Sequence, residues 1–304
     1  MRIVVTGATG MIGSALCRKL LSEGHEITIL SREPEKTHAS FPQTSVFPWE
    51  AVSGPPCMEA VDGADAVVHL AGEPIAEGRW TAKRKGIIEK SRVKGTFNLV
   101  DTLLRCPNPP RTFVSSSAIG YYGSRDEQVL DETADSGDGF LAHICRRWEQ
   151  EAWRVRERGI RVVFARTGLV LSTEGGAFPR ILLPFEMFVG GPLGNGKQWM
   201  SWIHVCDEIG AIEYALMHDD VEGPLNLTAP NPVTNNEFSR ELSLELGRPA
   251  IFRVPGFALK LLMGEMAENL LLSGQRVLPR KLEEGGYRFT YPELKGALEN
   301  LCSR

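Results

Sequence analysis

Residues 1–13 of the chain read MRIVVTGATGMIG. An apolar run at residues 3–5 leads into glycines at the spacing G-x-x-G-x-x-G, and apolar residues then recur at three- and four-residue steps until Gly24. A strand, a glycine turn and a helix in this order are typical of dinucleotide binding, because glycines let the backbone approach a pyrophosphate at the helix N-terminus. The predicted binding residues of this turn are Gly7, Thr9, Gly10, Met11, Ile12 and Gly13.

Strand and helix patterns alternate along the next 150 residues. The predicted strands are residues 26–30, 46–49, 65–70, 112–115 and 161–165, and a long helical pattern covers residues 81–104. This alternation predicts an α/β fold, a Rossmann-type doubly wound parallel sheet with a smaller C-terminal substrate domain. Glycine-rich connections begin after residue 172, and the segment GPLNL at 223–227 is expected to rejoin the sheet. We therefore assign residues 1–172 and 202–228 to the dinucleotide domain, and residues 173–201 and 229–304 to the substrate domain.

The end of the second predicted strand bears on which dinucleotide is bound. NAD-specific folds commonly place an acid there to bind the ribose 2′-hydroxyl. This chain has Ser31 and Arg32 instead, and a planar guanidinium suits the 2′-phosphate of NADP. NADP is therefore the predicted cofactor. The alternative is that Arg32 is a solvated loop residue, since Glu33 and Glu35 follow it.

Further cofactor contacts are predicted where the strand at 65–70 ends. Small residues there let a nucleotide lie close to the backbone, and Arg79 and Arg92 could reach its phosphates. Glu73 either accepts a hydrogen bond from a ribose or substrate hydroxyl or caps the following segment, and His69 is expected to be a hydrogen-bonded core residue. The predicted contacts from this region and the next strand are Leu70, Ala71, Gly72, Glu73, Arg79, Arg92 and Ser115.

Composition excludes several other functions. The net charge of −4 and the pI of about 6.0 do not favour binding to nucleic acid or an anionic membrane surface. The six cysteines form no C-x-x-C pair and have no metal-ligand spacing with the histidines. No apolar run reaches the ~20 residues that cross a bilayer. We expect a cytoplasmic protein with a small-molecule substrate and no metal. A homodimer is a further possibility, because the long helix is available to pair with a second subunit.

Five segments of the chain resemble the extended short-chain dehydrogenases/reductases, in the branch of nucleotide-sugar epimerases and dehydratases. They are TGATGMIG (6–13), DAVVHLAG (65–72), VKGTFNLVD (93–101), SSSAIGYYG (115–123) and RTGLVLS (166–172). The resemblance covers essentially the whole chain. The stretch at 196–208 and the C-terminal part look like a narrower subgroup that is labelled only "epimerase family protein". The resemblance implies a nicotinamide dinucleotide cofactor and a substrate in the interdomain cleft.

One departure from the family concerns catalysis. The resemblance implies a Tyr-x-x-x-Lys pair whose tyrosine is the acid/base and whose lysine lowers the tyrosine pKa. At these positions the chain has Leu141 and Cys145, and neither can do that work. Ser117 and Tyr122 are the predicted catalytic substitutes, and the absence of any acid/base stays open. His143 points elsewhere on the helix.

Two functions follow from these observations. The first is an NADP-dependent oxidoreductase or epimerase-like enzyme that acts on a small carbonyl or hydroxyl substrate. The second is a non-catalytic NADP(H)-binding sensor or partner-docking module, which the Leu141 and Cys145 substitutions favour.

Overall fold

The structure is a computed structural model that describes residues 1–303. Its strands are short where they lie outside the central sheet. In chain order they are β1 (Arg2–Thr6), β2 (Glu26–Ser31), β3 (Ser45–Pro48), β4 (Ala66–His69), β5 (Thr112–Ala118), β6 (Val129–Leu130), β7 (Arg161–Thr167), β8 (Leu169–Leu171), β9 (Trp199–Met200), β10 (Trp202–His204), β11 (Gly223–Leu227), β12 (Val233–Thr234) and β13 (Arg276–Val277).

The helices connect these strands and dominate the C-terminal part. They are α1 (Met11–Ser22), α2 (Pro34–Ser40), α3 (Met58–Val61), α4 (Ala82–Arg105), α5 (Phe140–Trp153), α6 (Phe178–Glu186), α7 (Val205–Met217), α8 (Asn235–Leu246), α9 (Gly256–Met263), α10 (Glu265–Leu270), α11 (Arg280–Glu284) and α12 (Leu294–Cys302). Two 3₁₀ turns, Ile119–Tyr122 and Arg154–Arg158, follow β5 and α5.

Seven strands form one parallel sheet in the order β11-β7-β5-β4-β1-β2-β3. The chain starts in the middle of this sheet, builds outward through β2 and β3, and then returns to build the other half from β4. The prediction of a Rossmann-type doubly wound parallel sheet is confirmed. The direction of building reverses between β1 and β4, and in open sheets of this kind ligands bind at that reversal, beyond the carboxyl ends of the strands. We call this side of the sheet the carboxyl edge.

Helices cover both faces of the sheet because its strands are apolar on both sides. On one face α1 and α7 bury residues such as Leu16, Leu20 and Ile212 against Ile3 and Val5. On the other face α3, α4, α5 and the turn after α5 supply a second cluster, which contains Leu99, Val100, Ala152 and Val155. The two layers fix the directions of β1 and β4, and they hold the loops at the carboxyl edge in place.

The C-terminal segments pack over the carboxyl edge through small strand pairs. β8 pairs with β10, β9 with β12, and β6 with β13. A third apolar cluster joins Leu171 and Trp202 to residues of α6, α8 and α12. A fourth joins Met266 of α10 to Trp80, Ile88 and Ile144. The residue boundaries that divide the chain into two domains stay a prediction.

Within residues 1–303 no helix combines the length and the apolar composition that would let it cross a bilayer. The six cysteines are all free thiols.

Candidate functional site

The glycine turn between β1 and α1 lies at the reversal point of the sheet. Gly7 has a φ of 71°, and a Cβ at this position would lie 2.8 Å from the carbonyl carbon of Leu70. A Cβ on Gly13 would lie 2.2 Å from the carbonyl oxygen of Gly7. Both contacts are with backbone atoms, which cannot move aside. These two glycines are therefore required for the turn to close against the strand ends and the start of α1.

The N-terminus of α1 lies at the carboxyl edge, and no acidic side chain of its first turn offsets the partial positive charge of this helix end. Its N-cap is Gly10, no side chain caps it, and no acidic residue lies in its first turn. Thr9 and Gly10 are exposed, and Met11 and Ile12 are half-buried. Because the first N–H groups of a helix have no intrahelical acceptor, this end can bind an anionic group. That these residues contact a cofactor stays a prediction.

The end of β2 presents the two residues from which NADP was predicted. The Ser31 hydroxyl bonds to the Thr37 hydroxyl at 2.7 Å and accepts a hydrogen bond from the Glu33 amide. The Arg32 side chain is exposed, and it has no hydrogen bond or ion pair with any residue in 1–303. Beside it, a groove of about 660 Å³ runs between α1 and α2 and is lined in part by Thr9 and Lys36. Arg32 is thus free to bind a phosphate.

The end of β4 is fixed by a buried histidine. His69 bonds to the hydroxyls of Thr6 and Thr96 at 2.8 and 3.0 Å, and Thr6 also accepts a hydrogen bond from the Ala71 amide. Burial lowers the pKa of His69 to about 4, so the ring is neutral at physiological pH. The interpretation of His69 as a hydrogen-bonded core residue is confirmed. Leu70, Ala71 and Gly72 follow it at the carboxyl edge.

Glu73 and Arg92 lie together beyond β4. The Glu73 carboxylate forms a 2.6 Å ion pair with Arg84. A ligand hydroxyl that donates a hydrogen bond to Glu73 would therefore share the carboxylate with that guanidinium. The Arg92 guanidinium donates to the Glu73 carbonyl at 2.9 Å and lies beside Gly72. Burial lowers the pKa of Arg92, although the arginine stays charged. Arg92 is therefore a cation at the carboxyl edge, and its contact with a cofactor stays a prediction.

Two predicted cofactor contacts, Arg79 and Ser115, have protein partners in the structure. Arg79 donates to the carbonyl of Leu261 in α9 and so contacts the C-terminal segment. Ser115 is completely buried within β5, paired in register with His69 and Phe164, and its hydroxyl donates to the Ser116 carbonyl. β5 continues for three residues beyond Ser115, to Ala118, and the contact of Ser115 with a cofactor stays a prediction.

Both predicted catalytic hydroxyls belong to a buried network around Arg166. The Ser117 hydroxyl donates to Glu149 at 2.6 Å, and Arg166 pairs with both oxygens of the same carboxylate at 2.9 and 2.8 Å. Arg166 also donates to the Tyr122 hydroxyl, which donates to Asn226 at 2.7 Å. Burial alone would lower the pKa of Arg166, but the hydrogen bonds and charge of Glu149 raise it above its ordinary value. The network ties β5, α5, β7 and β11 together.

This placement does not support the predicted catalytic roles of Ser117 and Tyr122. The Tyr122 side chain is completely buried, and burial raises its pKa to about 12. Ser117 is also buried, and its one hydroxyl proton is directed to Glu149. Neither proton is available to a substrate oxygen in this arrangement. The sequence does not reveal this, because Glu149, Arg166 and Asn226 lie on three other elements.

The structure places Leu141 and Cys145 one turn apart on α5, facing the end of β5. Leu141 is half-buried, and its Cβ lies 3.1 Å from where a Cβ on Gly120 would be. The Cys145 thiol contacts the Ala118 carbonyl at 3.7 Å, and burial raises its pKa to about 11. Cys145 is therefore a neutral thiol at physiological pH, and it supplies no cation at this position.

A hydroxyl at the end of β7 and a carboxyl on α7, neither of which the sequence singled out, lie close together. Thr167 ends β7, pairs in register with Ala118, and is partly exposed. Its hydroxyl is 2.7 Å from Oε1 of Glu208 on α7. Glu208 is buried, its Oε2 has no hydrogen-bond partner, and burial raises its pKa to about 8. The pair is thus a protonated acid behind an accessible hydroxyl. The segments RTGLVLS and HVCDE contain both residues, but only the fold brings them together.

Comparison with known families gives two matches. The NAD dependent epimerase/dehydratase family matches residues 3–227, and a domain of unknown function, DUF1731, matches residues 254–301. The first match spans the whole central sheet. The second covers α9, α10, α11 and all of α12 except its last residue.

Several relatives align along nearly the whole chain. The chloroplastic epimerase family protein SDR39U1 homolog of Arabidopsis thaliana is 42% identical over 301 residues, which cover 98% of this chain and 86% of the relative. The epimerase family protein YfhF of Bacillus subtilis is 38% identical and covers 100% of this chain and 98% of its own. Human epimerase family protein SDR39U1 (isoform 2), solved with NADPH, has a TM-score of 0.89 at 35% identity and covers 99% of both chains.

More distant structures share the fold. A UDP-glucuronic acid 4-epimerase from Bacillus cereus, solved with UDP-glucuronic acid and NAD, has a TM-score of 0.78 at 17% identity and covers 99% of this chain and 98% of its own. At this identity the likeness concerns the arrangement of the elements.

Proposed function

The chain belongs to the NAD dependent epimerase/dehydratase family, and on that premise we propose that it binds NADP(H) and uses it to oxidise or reduce a small carbonyl or hydroxyl compound. The observation that carries the proposal is the free cation at the end of β2. Arg32 is exposed and unpaired beside the turn that leads into α1. The relative solved with NADPH supports the same cofactor for this chain.

The residues of the carboxyl edge have separate tasks in this proposal. The uncapped N-terminus of α1 holds the pyrophosphate, and Arg32 holds the 2′-phosphate. Arg92 adds positive charge beside Gly72. A bound nicotinamide supplies or accepts the hydride. The C-terminal segments over the carboxyl edge exclude water from the substrate.

For the proton we propose the pair Thr167 and Glu208. In a reduction, hydride reaches the carbonyl carbon, the Thr167 hydroxyl gives its proton to the carbonyl oxygen, and Glu208 returns a proton to Thr167. The 2.7 Å separation of their oxygens allows this transfer, and a pKa of about 8 keeps Glu208 protonated at pH 7. In the reverse oxidation, Thr167 accepts the proton and passes it to ionised Glu208.

Transfer of deuteride tests the enzymatic function. NADPH labelled with deuterium at either face of C4 is incubated with the protein and a library of small aldehydes and ketones, and the alcohols are examined by mass spectrometry. We expect label from one face only, and a loss of about a hundredfold or more in rate for Thr167→Val. Tight binding of NADPH without transfer to any compound would contradict the enzymatic proposal.

Replacement of Arg32 tests the cofactor. We expect Arg32→Ala to weaken NADPH binding about tenfold or more and to leave NADH binding almost unchanged, because only NADPH carries the 2′-phosphate. Titration of the nicotinamide fluorescence measures both affinities. The matched control is Arg240→Ala, which removes an exposed arginine from α8. Equal losses for NADPH and NADH would contradict the phosphate role.

A second candidate is a non-catalytic NADP(H) sensor or partner-docking module. The observation that favours it is the pair Leu141 and Cys145, an apolar group and a neutral thiol facing the end of β5. Specific binding of NADPH with no label transfer is the outcome that this candidate predicts. A cytoplasmic location, a small-molecule substrate and a homodimer remain proposals, and the free thiols suit a reducing compartment.

A further inference from the structure

We propose that Arg276 forms a subsite for the carboxylate of an acidic substrate. The proposal rests on the proposed function, since it assumes that the substrate lies between the carboxyl edge and the C-terminal segments. It adds the chemical class of that substrate, a small carboxylic acid that carries a carbonyl or hydroxyl group.

Arg276 forms no hydrogen bond or ion pair with any residue in 1–303. Its guanidinium lies over the ring of Trp199 at 4.4 Å from the centroid, which orients it. No carboxylate or carbonyl among residues 1–303 accepts a hydrogen bond from it, and its Nε is buried without a partner. The terminal nitrogens are not buried. A partly buried arginine in this condition has lost hydration without gaining an ion pair, which an anionic ligand would supply.

Backbone contacts place Arg276 beside the proposed reaction site. Gly168 directly follows Thr167, and a Cβ on Gly168 would lie 2.4 Å from the Ser201 carbonyl. The Ser201 hydroxyl donates to the Gln275 carbonyl at 2.7 Å and accepts from the Val277 amide at 2.9 Å. Ser201 therefore fixes the residues on both sides of Arg276 against the carboxyl edge.

The direction of the Arg276 side chain follows from β13. Val277 is completely buried and packs with Tyr122 and Leu130 beneath the strand. Because successive side chains of a strand point to opposite sides, Arg276 points away from this cluster and toward Trp199. The indole face offers an apolar surface for the carbon atoms of a ligand whose acid group meets the guanidinium.

The charges nearby leave Arg276 available. Arg280 on the following helix is paired with Asp131 at 3.2 Å. Glu127 accepts a hydrogen bond from the indole nitrogen of Trp199 at 3.0 Å and forms no ion pair with Arg276. The planar guanidinium matches a carboxylate in a bidentate arrangement. A phosphate can form the same pair, so the experiment must separate the two anions.

Calorimetric titration of the full-length protein tests the subsite, with and without saturating NADP⁺. The probes are succinate, its uncharged counterpart succinamide, and inorganic phosphate. The variants are Arg276→Met and Arg276→Lys, and the control is Arg280→Met, which removes the neighbouring arginine already paired with Asp131. The melting temperature and the NADPH affinity of each variant show whether it is folded.

We expect succinate to bind the wild type and Arg280→Met about tenfold or more tightly than succinamide does. Arg276→Met should lose this preference, and Arg276→Lys should keep part of it. Equal binding of succinate and succinamide, no binding of succinate, or an unchanged preference in a folded Arg276→Met would overturn the proposal. Tighter binding of phosphate than of succinate would overturn the assignment to a carboxylate. Failure to bind NADP⁺ would instead count against the proposed function, because succinate is also titrated without it.

Discussion

Glu208 is a carboxyl group that burial keeps protonated. Among residues 1–303, Thr167 alone forms a hydrogen bond with this carboxyl group, and the second oxygen has no partner there. An ionised carboxylate would be poorly solvated in this place, which is why its pKa is raised from 4.5 to about 8. Folding therefore takes up a proton at this residue between those two pH values.

The free energy of unfolding should fall as pH rises from about 4.5 to 8, because the native state binds a proton that the unfolded state does not. The glutamine of Glu208→Gln does not titrate, so it takes up no proton on folding. We expect its stability relative to the wild type to rise between pH 5 and pH 8 by up to about 4 kcal/mol. Urea unfolding at several pH values measures the difference.

The control for this comparison is Glu284→Gln on α11, which changes an exposed glutamate. Its stability should run parallel to that of the wild type across the same pH range. If the Glu208→Gln curve is also parallel, Glu208 is ionised in the native state and cannot supply the proton that we propose.

The turn between β1 and α1 is the element on which the site depends most. A Cβ on Gly13 would lie only 2.2 Å from the Gly7 carbonyl oxygen, so a methyl group has no space there. Gly13→Ala should therefore displace the start of α1. We expect a loss of about 2 kcal/mol in stability and of about tenfold or more in NADPH affinity, measured by urea unfolding and fluorescence titration.

Gly86→Ala on α4 is the matched control, because a Cβ at Gly86 meets no atom within 4 Å. Alanine in an exposed helical position is expected to be neutral or to stabilise by up to about 1 kcal/mol. Wild-type stability and affinity in Gly13→Ala would show that the turn can relax and that its close packing is not needed.

Helix α5 lacks the two residue types that the family resemblance expects on this helix. Leu141 and Cys145 face the end of β5, where the family resemblance expects a tyrosine and a lysine. The helix stays in place because Glu149, one turn further on, pairs with Arg166 of β7. The residue that anchors the helix is thus separate from Leu141 and Cys145.

At the scale of the whole molecule, helices α9 and α10 meet the central sheet's flanking helices through the cluster around Met266. Met266 of α10 is 4% exposed and packs in the cluster of Trp80, Ile88 and Ile144. An ion pair between Lys85 and Glu265 adds to this contact. Helix α9 has no buried residue of its own, so Met266 is the large buried side chain that holds α9 and α10, together with the contacts of Lys85 and Arg79.

Met266→Ala should therefore open α9 and α10 without unfolding the sheet. Removal of a buried methionine side chain costs about 2–5 kcal/mol where it packs, and we expect amide hydrogen exchange in α9 and α10 to accelerate about tenfold or more. Exchange in β1, β4 and β5 should not change. Leu261→Ala, at a side chain that is 78% exposed, is the control. Uniform acceleration across the chain would show instead that the two parts unfold together.

The outer strands of the C-terminal part illustrate what the sequence could not predict. β6, β9, β12 and β13 have two residues each, too few for a periodic pattern. Each forms only because a distant segment offers backbone partners, as β13 does for β6. The strand predicted at residues 46–49 begins and ends one residue earlier, at Ser45–Pro48, since pairing with β2 sets its ends.

The sequence by itself determined the doubly wound sheet and the glycine turn, because local periodicity and backbone sterics specify a strand, a turn and a helix within thirty residues. It also determined that Leu141 and Cys145 replace the usual pair, since this depends only on residue identity. The tertiary structure alone decided that Ser117 and Tyr122 are enclosed by Arg166 and Glu149 and that Glu208 lies behind Thr167. It also decided that Arg276 forms no hydrogen bond or ion pair with residues 1–303. The physical reason is that burial and hydrogen bonding depend on which distant elements meet, and those contacts set whether a proton or a charge is available.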